Sequence, residues 1–386
     1  MSRCKTTKRI PTLVLFLFTS TGFIAGAKAA TLEVGPGRTY TYPSIAAVHA
    51  QNGDTVEIAA GVYPGDVAVW RQNNLTIRGV GGKAILRANG KYAEGKGIWV
   101  IKGNNVIVDN IEFSGAAVPD GNGAGIRIEG IDLTIRNSYF HHNENGVLGG
   151  GVKPADDILI ESSEFAYNGR GDGYTHNIYI GPARTLTLKY NYIHHAHVGH
   201  NVKSRAYRTD ILHNRIMDEA SGDSSYVVDL PNGGLSYVIG NLIQQGPKAE
   251  NPTVVTYGEE GLRNATNQLY LLNNTIVNDR PQGGRFVYVR SGASAVRLVN
   301  NLLIGSGTIS APGAQMSNMV GTVNDLVSAQ TYDYHLKKSS RAINTGIDPG
   351  SANGIVLWAT QQYVHKSGHE TRPRVGAMDV GAYEFK

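Results

Sequence analysis

The sequence predicts an all-β chain wound into one right-handed parallel β-helix, a single-stranded solenoid with a short capping helix at its N-terminal end. Three observations lead there. A four-residue pattern recurs as Asn110-Ile-Glu-Phe113, Asn137-Ser-Tyr-Phe140, Ser162-Ser-Glu-Phe165, Tyr190-Asn-Tyr-Ile193, His213-Asn-Arg-Ile216, Gly240-Asn-Leu-Ile243, Asn273-Asn-Thr-Ile276 and Asn300-Asn-Leu-Leu303, at spacings of 23 to 33 residues. A second short strand recurs inside each unit, at 125–128, 146–148, 177–180, 201–203, 226–229, 254–257 and 286–289. Glycine is abundant, 48 residues, and helix-forming runs are scarce. Self-similarity at this period marks stacked units that bury their apolar faces only against one another. The leucine template of leucine-rich repeats is absent, which leaves the parallel β-helix.

Taken in order, residues 1–29 read as a secretory signal. Arg3, Lys5, Lys8 and Arg9 form a basic segment, an apolar run follows, and Ala27-Lys28-Ala29 is a small-x-small cleavage site. Removing it takes away five basic residues and no acid, which leaves 31 Lys and Arg against 31 Asp and Glu. A neutral mature chain argues against nucleic-acid binding or a basic membrane footprint. The one cysteine, Cys4, lies in the leader. The expectation is an exported protein, periplasmic or extracellular, monomeric, not inserted in the membrane, and stabilised without disulfides by its own core.

Residues 30–66 are expected to form the cap and first coil. A strand starts at Thr31, a helix follows Pro43 with Ser44 as its N-cap, and a strand begins after Asp54. Residues 67–305 are the repeating coils, and 306–386 a last coil with an irregular tail. Asn191, Asn214, Asn241, Asn274 and Asn301 hold the same place in successive coils. They are expected to form a ladder of stacked amides, structural rather than catalytic.

Several stretches carry a resemblance. Pro43-Ser44-Ile45 and Gly53-Asp54-Thr55-Val56, leading to Gly61-Val62-Tyr63, resemble the opening of secreted pectate-lyase-like β-helix proteins. Tyr334-His-Leu-Lys-Lys-Ser-Ser-Arg-Ala-Ile343-Asn-Thr-Gly346 and the closing Arg374-Val-Gly-Ala-Met-Asp379-Val-Gly-Ala-Tyr383-Glu384 are similar to C-terminal signatures of the same superfamily. The resemblance spans nearly all of the mature chain and implies the fold. That scaffold carries lyases, epimerases, hydrolases and binding proteins.

Chemistry is expected on the outward face of the second strands. In coil order that face offers Arg127 and Glu129, then Asn177 and Tyr179, then Asn201, Lys203 and Arg205, then Asp229, then Glu259 and Glu260, with His176 and His200 where the strands begin. Counterparts in adjacent coils lie about 4.8 Å apart, so this set lines one groove. Basic, aromatic and acidic groups together suit β-elimination from, or C5-epimerisation of, a uronic-acid polymer. The proton at C5 is weakly acidic, so the carboxylate beside it must be neutralised and a base presented. Lys203 is the candidate base, Arg205 the carboxylate clamp, and His176, His200 or Tyr179 the proton donor. Asn177, Asn201, Tyr226, Asp229, Arg127 and Glu259 are candidate substrate contacts. Asn201-Val-Lys203-Ser204 also resembles the Asn-Lys-Ser strand of chondroitinase-B-like and alginate-lyase-like enzymes, in which the lysine is the base. Those enzymes place acidic calcium ligands just before the lysine, where this chain has His197 and Val198. No cofactor is required by the sequence; calcium, if used, falls to Asp229, Glu259 and Glu260.

Other readings use other residues. Asp172 with Asp229 would make a glycoside hydrolase, and a non-catalytic glycan-binding protein needs no base. His194-His195-Ala196-His197 suggests zinc, yet Ile193-His194-His195 aligns with the turn Phe140-His141-His142 and lacks a helical i, i+4 spacing. The stretch 223–234 is dense in polar groups and serves equally as a sugar contact or a turn.

Overall fold

The computed structural model describes residues 1–4, 29–151 and 153–386, so the expected leader, apart from its first four residues and Ala29, lies outside the described residues. Among those described, no helix is long and apolar enough to cross a membrane.

Ten short strands from Ala68–Trp70 to Thr308–Ser310, one per coil, pair in parallel and form the front wall. Another 21 strands, also paired one coil to the next, make a folded second sheet that supplies the remaining walls. Each strand is short because a turn follows at once, and alternation then sends every second side chain inward. The back-wall position identified by the repeat is the clearest case. Phe113, Phe140 and Phe165 stack at 4.8 and 4.7 Å, and Ile193, Ile216, Ile243, Ile276 and Leu303 continue the column, all buried. Side chains this size, wholly removed from water, contribute roughly 1.5–3 kcal/mol each.

The asparagine ladder is present and longer than expected. The side chain at each rung accepts from the backbone N–H of the rung before it. The chain of acceptors runs Ser138, Ser163, Asn191, Asn214, Asn241, Asn274, Asn301 and Asn318. Each amide also donates to a strand carbonyl, as Asn214 does to Leu188 O at 2.9 Å.

Two local expectations are corrected. The cap helix Pro43–His49 starts at Pro43, whose fixed φ suits a first helical turn, so Ser44 lies inside the helix and is not its N-cap. Ser44 N instead donates to Asp66 Oδ2 at 3.1 Å. The tail is not irregular: Leu326–Ser328 with Asp333–Leu336, Ser351–Ala352 with Ile355–Val356, and Gln361–Val364 with Gly368–Thr371 form antiparallel hairpins. The last folds back along the stack, where Lys366 pairs with Glu164 at 2.6 Å and the His369 ring stacks on Tyr190 at 3.7 Å. The closing motif locks this arm, since buried Arg372 donates to Glu384 and Asp379 accepts from Asn344 N and Phe385 N.

Candidate active site

The front wall aligns one outward residue per coil: Val69, Val100, Arg127, Leu148, Tyr179, Lys203, Asp229, Thr256 and Tyr288 share a register. Only its centre is densely polar. Three successive rungs hold Tyr179, Lys203 and Asp229, so their backbones are about 4.8 Å apart.

Lys203 Nζ lies 3.4 Å from Asp229 Oδ2 and 3.4 Å from Glu260 Oε1, and 5.9 Å from the centre of the Tyr179 ring. Arg205, just past the strand Val202–Ser204, projects to the same side. Its Nη atoms grip both Glu260 oxygens at 2.8 Å, its Nε donates to Tyr179 Oη at 3.0 Å, and Asn232 accepts a further bond. A bidentate guanidinium–carboxylate pair is geometrically specific as well as strong. Asp229 is buried, its Oδ1 has no partner, and burial pushes its pKa up to about 6 against the opposing pull of Lys203.

Behind this layer His176 and His200 stack at 4.7 Å. His200 N donates to His176 Nδ1 at 3.0 Å, and Tyr226 N donates to His200 Nδ1 at 3.3 Å. Both Nδ1 atoms are therefore acceptors, which leaves the ring proton on Nε2. His200 Nε2 lies 3.4 Å from Asp229 Oδ2. Burial, with Lys203 next, drives the His176 pKa down to about 3; burial and then His176 drive that of His200 well below its ordinary value. Burial therefore favours the uncharged form of both rings, which sit behind the cluster rather than in it and are poorly suited to the expected role of proton donor.

Asn177 and Asn201 are also corrected. The strands begin at Ile178 and Val202, so the asparagines sit in the preceding turn, where strand alternation does not apply. Both are fully buried. They continue an internal relay in which Asn143, Asn168, Asn177 and Asn201 each donate to the next, and Asn201 donates to Asp218. They support the strand and touch nothing outside.

Of the other expected contacts, Tyr226 is half-buried with its ring 5.1 Å from His200. Arg127 stands two rungs from Tyr179 beyond Leu148, about 10 Å along the stack and apart from the cluster. Glu259 is exposed beside Glu260. Calcium ligation by Asp229, Glu259 and Glu260 does not fit. Lys203 Nζ stands equally close to Asp229 and Glu260, Arg205 holds Glu260, and Glu259 is exposed. Among the described residues no three His, Cys, Asp or Glu are grouped to hold a metal, which covers the histidines 194–197 as well. Asp172 is not brought to Asp229: its Oδ1 caps its own turn at Tyr174 N and Thr175 N. Asn232 lies in the polar stretch 223–234 but is not singled out there; its own signal is the Pro231-Asn232-Gly233 turn directly after the Asp229 strand.

A family model for the right-handed β-helix region matches residues 60–216. Among solved structures the chain is similar to the pectate lyase Pel9A, with a TM-score of 0.65 and 13% identity over 94% of this chain and 98% of that one. A pectin methylesterase from Aspergillus niger aligns at a TM-score of 0.33 and 12% identity over 86% of this chain and 95% of that one, too distant to argue from. No curated protein sequence matches the chain. With its strands paired coil on coil along the whole stack, the chain has the right-handed parallel β-helix of the pectate-lyase-like fold.

Proposed function

We propose that this protein is an exported, monomeric polysaccharide lyase acting on a uronic-acid polymer. The observation that carries the proposal is the central triplet of the front row, Tyr179, Lys203 and Asp229, with Arg205 braced across it. Asp229, its Oδ1 free, stands 3.4 Å from Lys203 Nζ on the next rung, and the lysine acts as base in its unprotonated form. The free amine removes the C5 proton, the C5 electron pair forms the C4–C5 double bond, and the C4–oxygen bond breaks. The Tyr179 hydroxyl accepts from Arg205 Nε, so its own proton is free to go to the departing oxygen. Arg205 meets the substrate carboxylate by exchanging it for Glu260, which lies at the solvent edge. C5-epimerisation shares the first proton transfer and differs in returning a proton to the opposite face.

The experiment is ultraviolet absorbance of unsaturated uronate from polygalacturonate, alginate and chondroitin sulfate, with and without calcium. Product that vanishes in Lys203→Met supports the lyase. Reducing ends without unsaturated product would replace it with a hydrolase. Neither product, with proton exchange at C5 seen by NMR, would make it an epimerase; binding with no exchange would make it a glycan-binding protein.

A further inference from the structure

The turn 195–201 has two sides. His200 faces the lysine cluster, whereas His195 and His197 face a separate cleft of about 660 Å³. Along that cleft three coils place an aromatic ring at one left-handed backbone position: His142 (φ 53°), Tyr167 (φ 54°) and His195 (φ 52°). Bulky residues pay a steric penalty there. The fold does not demand them, because Gly115 (φ 78°) holds the position one coil earlier, donating to His142 O. The rings form a continuous platform, His142 to Tyr167 at 5.3 Å and Tyr167 to His195 at 4.8 Å, and Tyr167 is 44% exposed at its centre.

The floor is kept low by small residues. A Cβ on Gly169 would come within 2.6 Å of His197 O, so the next coil's backbone packs directly against this glycine. On one rim stands Arg170, exposed, whose nearest carboxylate oxygens on Glu144 and Asp172 are 3.6 and 3.8 Å away. Such long pairs leave a guanidinium free to turn to a better partner. On the other rim His197 pairs with Asp223 at 3.0 Å. An exposed tyrosine with a guanidinium held only by long pairs beside it matches a pyranose carrying a carboxylate.

We propose that this cleft is an accessory binding surface for uronate oligosaccharide, with a sugar ring on Tyr167 and its carboxylate on Arg170. The inference rests on the proposed function for the class of polymer, and on none of its catalytic residues. The test is retardation of the mature protein in gels containing polygalacturonate or alginate, using the wild type, Tyr167→Ala, Arg170→Ala and Tyr167→Phe. Both alanine variants replace exposed side chains, and circular dichroism melts check their fold. Retardation by at least one polymer is expected, weakened roughly tenfold in both alanine variants and kept in Tyr167→Phe, since stacking does not need the hydroxyl. Equal retardation of the alanine variants, or no retardation of the wild type by either polymer, overturns the surface. Loss of retardation in the alanine variants, in a protein that makes no unsaturated product, upholds the surface and removes the lyase.

Discussion

Two columns of polar side chains climb the same stack under opposite rules. The ladder from Ser138 to Asn318 repeats one device, a side-chain oxygen accepting from the backbone of the rung before, and its asparagines from Asn191 to Asn301 are buried. The front row changes residue type at every rung through Tyr179, Lys203 and Asp229, and leaves Asp229 Oδ1 unpartnered. Repetition satisfies backbone groups that would otherwise be orphaned, which is a stability device. Variety with an unsatisfied acceptor stores reactive groups at a cost in stability, which is how sites are built. A third column, Asn143, Asn168, Asn177 and Asn201, resembles the front row in sequence and the ladder in structure.

The difference can be tested by breaking each column. The largest effect belongs to Lys203→Met, which should lower formation of unsaturated product by about 10³-fold, within the range of a lost general base. Its melting temperature should move far less than that of a ladder variant; a turnover loss matched by an equal loss of fold would sink the distinction.

Asn214→Ala should do the reverse. It takes the side-chain partners from Leu188 O and Asn191 N in the interior, and leaves the Asn241 amide oxygen with one donor of two. The expected loss is about 3 kcal/mol, seen as a fall of several degrees in Tm. An unshifted melt would mean that the ladder is ornamental.

Asn201→Ala sharpens the assignment of the third column. It should cost about 2 kcal/mol by removing the partners of Ala196 N and of Asp218 Oδ1 and leaving Asn177 Nδ2 with His194 O alone, while KM of the folded fraction holds. A raised KM with unchanged stability would restore Asn201 to substrate binding.

The smallest effect is set by pH. Burial, chiefly, lowers the His213 pKa to about 3, so its neutral form is held in the fold. A lowered histidine pKa contributes stability that is present above the unfolded value near 6.5 and lost as pH falls toward 3. At pH 5 the loss is of order 2 kcal/mol. Its backbone has φ 55°, a conformation that Asn273 and Asn300 adopt at the same place in later coils. His213→Asn should therefore fold normally and flatten Tm between pH 7 and 5; an unchanged slope would assign the acid sensitivity to the other histidines that burial holds neutral, His176, His195 and His200.

Much of this was legible in the sequence. The period, the wall positions, the ladder, and the shared register of Arg127, Tyr179, Lys203 and Asp229 all follow from local rules repeated coil after coil. In a parallel stack a residue's neighbour is its counterpart one turn on, so reading one coil reads them all. Tertiary structure alone decided what happens where the rules stop. In the turns alternation lapses, and Asn177 and Asn201 faced inward to satisfy buried groups. Glu260 reaches Arg205 and Lys203 across 55 and 57 residues. That meeting depends on turn lengths, which vary from coil to coil and which no periodic pattern encodes. The cleft around Tyr167 arises in the same way, from the turns rather than the strands. Strands repeat because their hydrogen bonds force a common register; turns answer only to the contacts they happen to make.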